Sequence, residues 1–66
     1  MKLQYDNKAD AVYITLRQAE VAHTKKVDTN TILDYDNKGQ IIGIELLFVT
    51  ENNPDLIKEI SAEQTA

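Results

Sequence analysis

Five carboxylates, Asp6, Asp10, Asp34, Asp36 and Glu45, are the side chains of this 66-residue chain whose types and spacing could carry chemistry. Two carboxylates can share acid and base roles when their environments drive their pKa values apart, and Asp6 with Asp10, joined by Glu45, is the set to weigh. Such a pair needs a concave, partly desolvated pocket, and so short a chain offers little volume for one. The run from Asp34 through Asp36 and Lys38 to Gly39 opens like an EF-hand loop, and Glu45 is twelfth counted from Asp34. Lys38 nevertheless puts a cation where an oxygen ligand belongs, and the flanking residues read as a hairpin instead of two helices. Asp and Asn in turns far more often cap their own backbone than hold an ion. Neither metal nor cofactor is therefore expected.

The other catalytic residue types are sparse. There is no cysteine, which removes disulfides, thiol nucleophiles and thiolate metal sites together. The single histidine, His23, sits in a polar stretch and is expected to be solvated, and Ser61 has no histidine near it in sequence. With only Gly39 and Gly43, no glycine-rich phosphate loop can form. The expectation is a non-enzyme. The alternative is a small carboxylate-based or metal-dependent hydrolase-like enzyme using Asp6, Asp10 and Glu45.

Charge narrows the partners. The formal net charge is −4, and the seven Lys and Arg are scattered, with only Lys25 and Lys26 adjacent. Phosphate backbones and anionic lipid surfaces both require a basic patch, so neither nucleic acid nor membrane is expected as a partner. No stretch approaches the apolar length of a signal peptide core or a spanning helix. A cytoplasmic protein is the expectation.

The elements that must position these residues are legible from a repeat. The segment Tyr5-Asp6-Asn7-Lys8-Ala9-Asp10-Ala11-Val12-Tyr13-Ile14-Thr15-Leu16 returns thirty positions later as Tyr35-Asp36-Asn37-Lys38-Gly39-Gln40-Ile41-Ile42-Gly43-Ile44-Glu45-Leu46. Each copy reads as strand, turn, strand: a hairpin over 2–16 and another over 31–48. Gly39 supplies the positive φ a hairpin turn uses, whereas Ala9 stands at that place in the first copy. Alternation puts Leu3, Tyr5, Val12, Ile14 and Leu16, with Leu33, Tyr35, Ile42, Ile44 and Leu46, on one apolar face. The opposite face is mixed, and Tyr13, Ile32, Ile41, Gly43, Glu45 and Leu47 are its candidate interface residues. Gly43 inside a strand implies a bulge or a close approach, and its repeat-equivalent Tyr13 is the side chain expected to fill that space. A hydrogen bond from Tyr13 to a carboxylate is expected on this face, with Glu45 as the acceptor.

Residues 17–30 read as a linker or a short extra strand whose lysines suit an exposed edge. Asn53 as N-cap, Pro54 at the first turn and Asp55 beside it predict a helix over about 54–62, with Leu56, Ile57 and Ile60 turned to the sheet and Lys58, Glu59 and Glu63 turned out. The tail Gln64-Thr65-Ala66 has nothing to hold it. The predicted architecture is α+β: an antiparallel sheet of two sequential hairpins, one C-terminal helix on its apolar face, and a single domain over 1–66. A chain this short buries only about 60% of its unfolded surface. Self-association is the remedy left to it, most simply as a two-fold dimer.

The paired blocks Tyr5–Ile14 and Leu33–Leu47 resemble a family of small prokaryotic domains of unknown function, number twenty-two eighty-three. The resemblance covers Met1 to about Leu47. It implies a compact antiparallel sheet with a C-terminal helix, no established activity and no catalytic residues to carry over. It also points towards an antitoxin-like or other role in binding a protein partner. Together these readings give a non-catalytic binding or assembly module.

Overall fold

The computed structural model describes residues 1–65, and side chains as far as Glu59. Five strands form one antiparallel sheet: β1 (Lys2–Asp6), β2 (Ala11–Thr15), β3 (His23–Asp28), β4 (Thr31–Tyr35) and β5 (Ile41–Leu47). Two helices follow, α1 (Val49–Asn52) and α2 (Pro54–Thr65). The strand order is β1-β2-β5-β4-β3, so the last strand is inserted at the centre.

Both expected hairpins are present, β1 with β2 and β4 with β5, but they are not the whole sheet. The stretch read as a linker or a short extra strand contributes β3, which pairs with β4 as a third hairpin and forms an outer edge. Thr24, Lys25 and Lys26 gave this segment little apolar signal because all six of its residues are exposed. The hairpins join through β2 and β5, with Ile14 directly opposite Ile44.

The two hairpins keep one register near that junction: Leu3 opposes Ile14 and Leu33 opposes Ile44. Towards the turns they diverge. Tyr5 opposes Val12, whereas a bulge between Asp34 and Tyr35 sets Tyr35 against Ile41. The extra residue accompanies a different turn, in which Gly39 takes φ 80°. In the first hairpin the positive φ falls on Asp10, at 52°, and not on Ala9.

The apolar face is covered at one end. Val12 and Val49 are fully buried, and Leu3, Tyr5, Ile14, Leu46, Leu56 and Ile57 pack around them. Ala11 and Ile42 complete the buried hydrophobic set. Ile44 and Leu33 lie on the same face but outside the packed cluster, and both are half-buried. Leu16, expected in the core, is 41% exposed because it lies just past the end of β2.

The C-terminal region also differs from expectation. The strand stops at Leu47, Phe48 turns the chain with φ 53°, and α1 intervenes before Pro54. Val49, on this short helix, is fully buried against Val12 in the core. Pro54 opens α2 as expected, while Asn53 closes α1 and accepts the Leu56 N–H through its carbonyl. Helix α2 continues to Thr65, beyond the expected end. The inward assignment of Ile60, the outward one of Glu63 and the fate of Ala66 lie outside the described residues and side chains.

Candidate functional site

Asp6 begins the first turn, and its Oδ1 accepts the backbone N–H of Lys8 at 3.0 Å and of Ala9 at 3.2 Å. Asp36 repeats this in the second turn, accepting the N–H of Lys38 and of Gln40, each at 2.9 Å. Backbone donors stabilise a carboxylate over its neutral form, and the Gln40 N–H is the main reason the Asp36 carboxyl is held below its ordinary range. Asp28 does the same work in the β3–β4 turn, where the Asn30 N–H at 2.8 Å leads in lowering its pKa. These acids hold the chain in its turns.

Asp10 has a different task. Its carboxylate accepts the Thr50 N–H at 3.1 Å and the Thr50 hydroxyl at 2.7 Å, and its carbonyl accepts the Val49 N–H at 3.1 Å. A side chain forty residues away in sequence thus satisfies the first turn of α1, whose N-cap residue Phe48 makes no side-chain cap bond. The Tyr5 hydroxyl also donates to Asp10, at 3.3 Å. Burial, then the Asp10 charge, raises the Tyr5 pKa. Asp10 and Phe48, both at positive φ, meet at this one junction.

Of the acid set weighed from sequence, Asp6 and Glu45 line one open depression of about 490 Å³ with Gln4, Lys8 and Tyr13. Asp10 is not among its lining residues. A second depression, of about 570 Å³, lies between residues 17–22 and the second turn, and carries Arg17, Glu20, Asp36 and Lys38. Arg17 there donates to the Gln40 side chain at 2.5 Å. Among the described residues no three His, Asp or Glu side chains gather as a metal site requires.

The face away from the helices holds a second polar network. Tyr13, Glu45 and Ile32 lie in one row across β2, β5 and β4, and Thr15, Gly43 and Asp34 form the next. The Tyr13 hydroxyl donates to Asp34, not to Glu45, at 2.5 Å. To reach it the ring crosses Gly43: a Cβ built there comes within 2.9 Å of the Tyr13 Cζ. The Thr24 hydroxyl donates to the other Asp34 oxygen at 2.9 Å, so one carboxylate ties β2 and β3 to β4 over the central strand. The bond to Asp34, reinforced by desolvation, pushes the Tyr13 pKa up to about 12.

The candidate interface residues are spread along this face. Tyr13, Ile32, Glu45 and Leu47 are half-buried, Gly43 is buried under the ring, and Ile41 is 39% exposed at the far end of β5. Sequence reasoning missed Thr24 and Thr50. Carrying the alternation of the second copy back through residues 23–28 would have found Thr24, whereas no local pattern marks Thr50.

The family profile described as "Protein of unknown function (DUF2283)" matches residues 2–49, well over half of the chain, and the chain belongs to that family. The matched span takes in all five strands and stops at Val49, so α2 lies beyond it. No curated protein and no solved structure matches. Among the described residues no helix is long and apolar enough to cross a membrane.

Proposed function

We propose that this chain is a non-catalytic binding or assembly module that first associates with itself. The observation that carries this reading is the incomplete cover of its apolar face: Leu3, Tyr5, Ile14 and Leu46 pack against the Val12 and Val49 core and Leu33 and Ile44 lie outside it, yet all six side chains are only half-buried. Surface of that kind is stabilised by association. The mixed outer face, with Tyr13, Ile32, Ile41, Gly43, Glu45 and Leu47, is a further surface for a protein partner.

The carboxylate geometry weighs against the hydrolase alternative. Asp6 and Asp36 are bound to turn amides, Asp10 to Thr50 and Asp34 to Tyr13 and Thr24. General acid–base work asks for a carboxyl that can exchange its proton with a substrate in a desolvated cleft. A cysteine-free chain also suits a reducing, cytoplasmic setting.

Sedimentation over about a hundredfold dilution tests the reading, because mass action makes an assembling species concentration-dependent. A dimer that dissociates on dilution is expected. A 7.5 kDa species that stays folded throughout, with melting raised by divalent cations, would favour the enzyme instead.

A further inference from the structure

The two edges of the sheet differ in how they would meet a second copy. Strand β3 is one edge and β1 the other. In a two-fold antiparallel pairing about an axis normal to the sheet, residues of one face must oppose residues of the same face. For β3 the best-overlapping pairings therefore centre on Lys25 or on Lys26, and each sets a lysine against its own copy. Like charges directly opposite destabilise a strand pair, and lysines are a common guard on exposed edges.

The strand β1, Lys-Leu-Gln-Tyr-Asp, has the opposite pattern. Centred on Gln4, two copies overlap along all five residues, and Lys2 of each lies opposite Asp6 of the other. Leu3 falls opposite Tyr5 twice, on the helix side of the sheet, and both side chains are only half-buried in the single chain. Gln4 faces its own copy on the outer side, where two amides can each donate and accept. The Asp6 Oδ1 is occupied by its turn, which leaves Oδ2 towards the incoming ammonium.

We propose that the partner of this chain is a second copy, joined through antiparallel β1–β1 pairing centred on Gln4 to give a continuous ten-stranded sheet. This rests on the assembly reading and names its surface. Strand hydrogen bonds and the Leu3–Tyr5 pairs supply the attraction, and the Lys2–Asp6 pairs select the register.

The absence of cysteine makes a direct test clean. Gln4 is exposed, so Gln4→Cys disturbs little, and Cα atoms of directly opposed residues stand about 4.5–5.5 Å apart, within disulfide reach. Under mild oxidation Gln4→Cys should form a linked dimer at least about tenfold faster than a Lys26→Cys control, since only the former is held opposite itself. Lys2→Glu, which sets a second carboxylate against Asp6 at both ends of the pairing, should weaken the dimer about tenfold in sedimentation. If the wild type dimerises but Gln4→Cys links no faster than the control, the β1 assignment fails and the assembly reading stands. A wild-type chain that is monomeric at every concentration overturns both.

Discussion

The two turns Asp6-Asn7-Lys8-Ala9-Asp10 and Asp36-Asn37-Lys38-Gly39-Gln40 open on the same three residues and end in different tasks. In both, the leading aspartate accepts the N–H two residues on, so the shared letters encode a shared local fold. The fifth residue separates them. Asp10 takes the left-handed conformation itself and reaches across to start α1, whereas Gln40 leaves that conformation to Gly39 and bonds Arg17 at the surface. Asp10, where the second copy has Gln40, thus gives the first turn the contacts that anchor the start of α1. In the other half Leu33 and Ile44 lie outside the packed cluster.

The sharpest way to break this comparison uses Ile14 and Ile44, which oppose each other at the centre of the sheet. Ile14 packs in the helix-covered cluster and Ile44 lies outside it. Ile14→Ala is expected to cost about 3 kcal/mol and Ile44→Ala about 1 kcal/mol less in denaturant unfolding. Equal losses would mean that the helices are not what distinguishes the halves.

Tyr13 and Gly43 are the next contrast, a ring in one copy and a space in the other. Gly43→Ala should cost about 2 kcal/mol, because the new methyl meets the Tyr13 hydroxyl and the ring carbon that carries it, and the hydroxyl is held by its bond to Asp34. In Gly43→Ala/Tyr13→Leu the penalty should shrink, a coupling that a double-mutant cycle measures.

At the turns, Asp10→Ala should cost about 1–2 kcal/mol by stripping the cap from α1, with a loss of helical signal. Gln40→Ala should cost under about 0.5 kcal/mol, since only its exposed contact with Arg17 is lost.

The smallest effect is the alkaline limb. A phenol whose folded pKa stands above its unfolded value contributes stability that is complete below the unfolded value and lost as pH rises through the folded one. For Tyr13 that window runs from 10.0 to about 12. Tyr13→Phe should flatten the fall in melting temperature across it. Asp36 and Asp28 act in the other sense, stabilising above their unfolded value of 3.8 and losing that contribution as pH falls below it.

Much of this was legible in the residues. The Asp-Asn-Lys turns, the inward row Leu3, Val12, Ile14 and Leu46, and the fit of Tyr13 to Gly43 all follow from alternation and from comparing the two copies. The strand β3 could be read only as an alternative to a linker, because an edge strand with no buried residue carries little apolar period. The task of Asp10 was hidden for a different reason: it is set by a contact across forty residues, which no local propensity encodes. The preference of Tyr13 for Asp34 over its cross-strand neighbour Glu45 depends on the ring lying diagonally over Gly43, a geometry that spacing alone does not fix.

The account stands on the claim that self-association further buries apolar side chains, Leu3 and Tyr5 of β1 among them, that the single chain leaves half-buried. Melting temperature measured against protein concentration addresses it most directly, since binding that favours the folded state raises the midpoint by mass action. The account predicts a midpoint that climbs steadily with concentration, and a smaller climb in Lys2→Glu. A midpoint that is the same at every concentration, in a species of 7.5 kDa, would contradict it.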